Sequence, residues 1–164
     1  MYAIIDVETT GLRAENERIT EISIIQHDGR EVTGRFTTLL NPEKRIPYRI
    51  TQMTGINNKM VENAPKFYEV AKKIIELTEG RTLVGHNIAF DYRFIRAEFQ
   101  QFGYEFKRKK LCTVKLSRKL IPGRRSYSLP KLTEQLNIEH EYQHRAEGDA
   151  MATTRLFEML LTIN

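Results

Sequence analysis

A single cysteine, Cys112, is all that the chain has, so an internal disulfide is excluded and a reducing compartment suits it. No local signature makes Cys112 a nucleophile, and it reads as a small core residue. No apolar run approaches the ~20 residues that a membrane-spanning helix needs. The N-terminus lacks the basic-then-apolar order of a signal peptide. A cytoplasmic location with no membrane partner is the expectation. There is no internal repeat, low-complexity tract or linker. Acid is missing from one long stretch: from Lys107 to Lys131 every charged side chain is Lys or Arg.

What is present describes one globular domain over residues 1–164. The chain has 40% hydrophobic and 29% charged residues, ordinary values for a packed core with a solvated surface. Net charge is +5, and the acid-free basic stretch concentrates it. Such a block fits a polyanion partner or a solvated face, and charge alone leaves both open.

The organising stretch is the first dozen residues, MYAIIDVETTGL. It opens as a β-branched apolar run, the pattern of a buried strand. Alternation puts Ala3, Ile5 and Val7 on one face and Ile4, Asp6 and Glu8 on the other. Two carboxylates on one face of a central strand are costly to desolvate. A hard divalent cation relieves that cost, because it seeks carboxylate oxygens. An edge strand with one wet face is the alternative for Asp-x-Glu taken alone. Thr9-Thr10-Gly11 follows, a polar turn with a glycine where backbone can approach a ligand.

Residues 13–18 read as loop, Ile19 to His27 as a second strand, Asp28-Gly29 as a hairpin turn and Val32 to Leu40 as a third strand. Asn41-Pro42 ends this antiparallel meander. A short helix is expected around Ile50 to Met53, ending near Gly55. Ala64 to Thr78 has the 3.6-residue period of an amphipathic helix and stops at Gly80. Arg81 to His86 reads as a short buried strand. Ala89 to Phe102 reads as a helix with Phe90, Phe94 and Phe102 among its apolar positions. A strand over Lys110 to Thr113 and a helix over Val114 to Ile121 follow. Ser128 is expected to cap a further helix holding Leu129, Leu132 and Leu136. Glu147 to Thr162 reads as the last helix. Strands first, then strands interleaved with helices, argue an α/β fold: a mixed sheet flanked by helices.

Three more polar residues join Asp6 and Glu8. Asp91 falls in the opening turn of a helix, and His144 and Asp149 are spaced His-x-x-x-x-Asp at the start of the last one. Alone, each has an ordinary reading, Asp91 and Asp149 as acids favoured by a helix N-terminus and His144 as a loop residue. Asp28 and Glu62 read as surface acids. Together the five resemble the DEDDh branch of the 3′–5′ exonucleases, the DnaQ-like family with an RNase H-like fold. Asp6-Val-Glu8-Thr-Thr-Gly11 is similar to the family's first motif, His86-Asn87-Ile-Ala-Phe90-Asp91 to its second, and His144-Arg-Ala146-Glu-Gly-Asp149 to its third. Ile50-Thr-Gln-Met-Thr54-Gly55-Ile56 is similar to the segment that lines the pocket for the terminal nucleotide. The resemblance covers essentially the whole chain.

It implies a two-metal hydrolysis of phosphodiesters, with the ions roughly 4 Å apart. Mg²⁺ is the expected cofactor and Mn²⁺ its replacement. Asp6 would bridge both ions, Glu8 and Asp149 would hold the ion carrying the nucleophilic water, and Asp91 would support the second. His144 would be the general base, with a pKa suited to neutral pH. The product would be nucleoside 5′-monophosphates released from the 3′ end. Substrate binding would involve Thr9, Thr10 and Gly11 at the terminal sugar. Leu12 and Ile56 would lie against the terminal bases, and Thr54, Gly55, Asn87 and Phe90 nearby. For Leu12 and Ile56 an ordinary core position is the alternative.

Partners implied are single-stranded 3′ ends, of DNA by preference, in proofreading or repair. RNA trimming or oligoribonucleotide degradation is the alternative within enzymes. Thr9-Thr10-Gly11 looks more like the proofreading branch. An inactive nucleic-acid-binding domain is the reading from another class, and the intact set of four acids and a histidine argues against it. Met1 abuts the first strand and Asn164 the last helix. The expectation is therefore a self-sufficient nuclease or the exonuclease piece of something longer, with a DNA polymerase subunit or a further domain as its companion. If the basic stretch meets phosphates, reversing several of its charges raises the Michaelis constant and flattens its salt dependence. Steady-state kinetics across a salt series checks this, and unchanged kinetics contradicts it.

Overall fold

In the computed structural model, which describes residues 1–163, a five-stranded sheet runs in the order β3-β2-β1-β4-β5. The strands are β1 (Tyr2–Thr9), β2 (Ile19–His27), β3 (Val32–Leu39), β4 (Thr82–Gly85) and β5 (Lys110–Cys112). β1, β2 and β3 form the antiparallel meander, while β4 joins β1, and β5 joins β4, in parallel. The helices are α1 (Tyr48–Thr54), α2 (Asn58–Val61), α3 (Phe67–Thr78), α4 (Ile88–Gln100), α5 (Thr113–Leu120), α6 (Leu129–Gln135) and α7 (Ala146–Leu161). Asn164, expected to follow the last helix directly, lies outside the described residues.

The alternation of β1 decides the layering. Ala3, Ile5 and Val7 pack with Ile22, Ile24 and the aromatic faces of α3 and α4, including Phe67, Phe94 and Phe99. Ile4 points the other way, into a cluster with Ile25, Val84, Ala150 and Phe157. Asp6 and Glu8 share that second face, so they look toward α7. β1 is thus a central strand, and the edge-strand alternative for Asp-x-Glu falls.

The two strands beside β1 are unequal in reach. β2 pairs with it along its whole length, placing Asp6 opposite Ser23 and Glu8 opposite Glu21. β4 pairs only with Tyr2, Ala3 and Ile4. Beyond Ile4 the β4 side of β1 is therefore open, and α4 begins there. Gly85 permits that close approach, since a Cβ on it would sit 3.3 Å from the Ile5 carbonyl oxygen and 2.7 Å from Ile88 Cδ1. Asn87 then adopts a left-handed conformation, φ 69°, and starts α4. His86 fastens this turn to the next layer. Its Nε2 donates to the Tyr127 carbonyl at 2.6 Å, and its Nδ1 lies 2.8 Å from Thr113 Oγ1.

Several boundaries differ from the sequence expectation. α3 begins at Phe67 rather than Ala64, because Ala64 precedes a proline and is steered out of helical geometry. Glu69 instead accepts from the Lys66 backbone N–H at 2.7 Å. α4 ends at Gln100, which leaves Phe102 outside it and exposed. Ser128 stands at the N-cap of α6, but its hydroxyl caps nothing. That hydroxyl pairs with Ser126 Oγ, and Pro130, which has no N–H to satisfy, opens the helix instead. The short α2 was not expected from periodicity; Asn57 caps it by accepting from Met60 N at 2.9 Å. Among the described residues no helix is long and apolar enough to cross a membrane.

Gly85→Ala is expected to cost about 1–3 kcal/mol of stability, the usual range for overpacking a filled site. Urea unfolding measures it, and an unchanged midpoint contradicts the close-approach account.

Candidate active site

Three elements deliver carboxylates to one place. Asp6 and Glu8 leave the α7 side of β1, and Asp149 comes from the first turn of α7. One carboxylate oxygen from each of the three lies within 4.8 Å of the others, the spacing of a metal-binding set. Asp91, in the first turn of α4, is buried, and its charge acts on both Asp6 and Glu8. Its Oδ1 accepts from Val7 N at 2.9 Å, on the edge of β1 that β4 leaves open. First-turn positions favour negative charge at both helices, since the helix N-terminus carries partial positive charge.

Among the described residues, the centre of the triad has one oxygen left unsatisfied. Asp6 Oδ2 is buried with no hydrogen-bond partner. Burial, then the charges of Asp91, Glu8, Asp149 and Glu21, push the Asp6 carboxyl well above its ordinary value. Burial followed by Asp149, Glu21 and Asp91 raises Glu8 to about 9. Burial raises Asp91 to about 7, against the opposing hydrogen bond from Val7. A hard oxygen donor set with an orphaned buried oxygen fits a Mg²⁺- or Mn²⁺-type cation.

The third motif divides into parts that face the triad and parts that do not. His144 is exposed, at φ 65°, and its backbone N–H lies 3.4 Å from Asp149 Oδ1. Among the described residues its ring makes no hydrogen bond. Another histidine reaches the site: His140 Nε2 lies 2.7 Å from Asp149 Oδ1. Glu21 was also not anticipated. Its Oε1 accepts from Arg145 Nε at 3.0 Å and Ala146 N at 2.8 Å, and its Oε2 accepts from Arg145 Nη2 at 2.8 Å. This buried carboxylate caps α7, whose own N-cap residue provides no side-chain cap. The available signal for Glu21 was an acid inside an otherwise apolar strand.

The residues assigned to substrate divide by exposure. Thr9 Oγ1 donates to the Gly11 carbonyl at 2.6 Å, and Thr10 Oγ1 donates to Glu17 Oε2 at 2.7 Å while accepting from Arg18 N at 3.0 Å. Both hydroxyls thus hold the turn. A Cβ on Gly11 would lie 2.7 Å from Glu17 Oε2, so glycine leaves room for the Glu17 side chain that Thr10 holds. Leu12 is left 74% exposed, which sets aside its core alternative. Ile56 takes the alternative, an ordinary core position: it is fully buried among Ile46, Ile50 and Val61. The left-handed turn at Gly55, φ 78°, reverses the chain there, and Thr54 Oγ1 locks it by donating to the Ile50 carbonyl and accepting from Ile56 N. Asn87 is exposed and Phe90 half-buried, its ring 4.9 Å from that of Phe94. Asp28 and Glu62 are exposed, as expected of surface acids.

The family model described as Exonuclease (RNase T) matches residues 3–157. The DNA polymerase III subunit epsilon of Aquifex aeolicus is 35% identical over 161 residues, covering 98% of this chain and 80% of that protein. The 3′-5′ exonuclease DinG of Bacillus subtilis is 39% identical over 162 residues, covering 98% of this chain but 17% of that protein. Among solved structures, exonuclease X in complex with 5′ overhanging duplex DNA matches with a TM-score of 0.82 and 27% identity, covering 99% of this chain and 92% of that one.

Raised carboxyl pKa values imply a pH-dependent fold without cations. Each raised group binds its proton more tightly folded than unfolded, so its stabilising contribution is complete below about pH 4.5. That contribution is lost as pH rises through about 7 for Asp91 and about 9 for Glu8. Cation-free protein should therefore melt at lower temperature at pH 8 than at pH 5.5. Asp6→Asn should raise the pH 8 value, by about 2–4 °C per kcal/mol of repulsion relieved. Scanning calorimetry in chelator measures both, and an Asp6→Asn variant less stable at pH 8 contradicts the repulsion.

Proposed function

The chain belongs to the RNase T exonuclease family, as a 3′–5′ exonuclease with the RNase H-like sheet, and from that premise we propose that it degrades single-stranded DNA 3′ ends to nucleoside 5′-monophosphates with two divalent cations. The observation that supports this most is the orphaned Asp6 Oδ2 beside Glu8 and Asp149. A buried carboxylate oxygen with no hydrogen-bond partner among the described residues, beside other acids, is a poor structural element and a good cation seat.

Asp6, Glu8 and Asp149 would hold the cations, Mg²⁺ by preference with Mn²⁺ as substitute, and Asp91 would support the second. When bound, the cations offset the phosphodiester's negative charge, lower the pKa of water and stabilise the departing 3′ oxygen. The protein does the rest. Val7 N–H orients Asp91, and Glu21 fixes the start of α7 and hence Asp149. His144 accepts the proton of the attacking water on a ring nitrogen; its backbone is anchored beside Asp149 while its exposed ring is free to turn to the substrate. Leu12, exposed at the tip of the turn after β1, is placed to meet a terminal base, and the backbone of Thr9 to Gly11 to meet the sugar.

The preference for DNA is supported by relatives of two kinds, the polymerase III subunit and the exonuclease X solved with DNA. The chain spans 17% of DinG and 11% of the PolC-type polymerase III of Clostridium perfringens, both far longer proteins. Proofreading or repair beside a polymerase subunit or a further domain is the role we assign on that basis.

Digestion of 5′-labelled single-stranded DNA and matching RNA, with Mg²⁺ or Mn²⁺, tests the proposal. A cation-dependent ladder shortening from the 3′ end, faster on DNA, is expected. Asp6→Ala and Asp149→Ala should abolish it. His144→Ala should slow turnover by about 10²–10⁴-fold, the span of general-base catalysis, with cation affinity largely kept. A faster RNA ladder overturns the DNA preference, and loss of cation binding in His144→Ala overturns the base assignment.

A further inference from the structure

Among the described residues, Asp149 is the one member of the triad whose oxygen is gripped by a histidine ring, and that histidine is not the one the third motif supplies. We propose that His140 is a positioning residue for Asp149: it fixes one carboxylate oxygen and leaves the other for the cation. This rests on Asp149 being a cation ligand. A carboxylate beside two others is pushed away from them by like charge. A donor on its far side opposes that push, and metal ligands are commonly steadied by such partners.

The surroundings of His140 suit that task. Its side chain is 4% exposed, and both ring nitrogens are engaged. Nε2 lies 2.7 Å from Asp149 Oδ1, and Nδ1 lies 3.4 Å from Thr133 Oγ1 on α6. Thr133 is itself buried, its hydroxyl donating to the Leu129 carbonyl at 2.7 Å. The imidazole is therefore a strut between α6 and α7.

The loop that carries the strut is tied down at several points. Arg155 Nη1 of α7 donates to the Glu139 carbonyl at 2.9 Å. Gly148, the residue before Asp149, lets the loop's main chain lie directly on α7. A Cβ there would fall 2.2 Å from the Glu141 carbonyl oxygen and 2.5 Å from that of Tyr142. Glu21 grips Arg145 and Ala146 at the loop's far end. His144, by contrast, is exposed in the same loop. The two histidines thus divide the work: His140 holds the ligand and His144 faces the substrate.

Mn²⁺ titration by calorimetry, paired with kcat and KM on a single-stranded oligonucleotide, separates this role from a merely structural one. His140→Leu should lose about 10–100-fold in Mn²⁺ affinity, the usual consequence of removing a partner behind a metal ligand. Its kcat should fall while KM for the oligonucleotide stays near the wild-type value. His140→Gln, which keeps a donor and guards against a folding defect, should recover most of both losses. Wild-type Mn²⁺ affinity in His140→Leu overturns the proposal, as does tighter binding, which would make His140 a competitor for the cation's seat. If the wild-type protein itself binds no Mn²⁺, the cation reading of the triad fails first, and the proposal falls with it.

Discussion

Repulsion among carboxylates at the end of β1 is the constraint on which the rest of the molecule depends. Asp6 is central, half-buried, with an oxygen that none of the described residues satisfies. The charges that act on it most are of its own sign: Asp91, Glu8, Asp149 and Glu21. Folding assembles this arrangement at a cost that apolar packing elsewhere must offset. Cations are the natural compensation, and the same field that opposes folding gives them their affinity.

The architecture serves that cluster. β1 is flanked on one side along its full length by β2 and on the other only as far as Ile4 by β4. The short partner strand opens an edge through which Asp91 reaches Val7 N–H. On the opposite face α7 packs through Phe157 and Ala150, so its first turn ends over Asp6 and Glu8. Both helices present their N-termini to the acids, which tempers the repulsion without cancelling it. Glu21 is a carboxylate of a different kind: paired with Arg145 and the Ala146 N–H, it is a structural cap that sets where α7 begins.

Much of this was legible in the residues. The period-2 alternation of β1 predicts two faces, and the structure has them, with Asp6 and Glu8 opposite Ile5 and Val7. The meander, the helix starts bearing Asp91 and Asp149, and the mixed sheet were readable for the same reason, because local pattern and burial coincide there. The rest was set by tertiary contacts that no local pattern carries. Ile56 turns inward because Gly55 reverses the chain, and the Ser128 hydroxyl pairs with Ser126 instead of capping α6. Glu21 sits in an apolar strand and looks like an interruption until Arg145 arrives from 124 residues away. His140 has no helix or strand period to mark it, and its role depends on how the loop folds over Gly148. The sequence motif pointed to His144, which the fold leaves in solvent.

On this reading, cations relieve an acid cluster that otherwise retains protons. The most direct test is calorimetric Mn²⁺ binding at pH 7 in buffers of different ionisation enthalpy. Raised Glu8 and Asp91 values mean that protons must leave as the cation enters, so the apparent enthalpy should vary with the buffer and report proton release. Glu8→Gln should reduce the number released. Tight Mn²⁺ binding with no dependence on buffer would contradict the account, since the carboxylates would then be ionised already and their repulsion would not be the force that seats the cations.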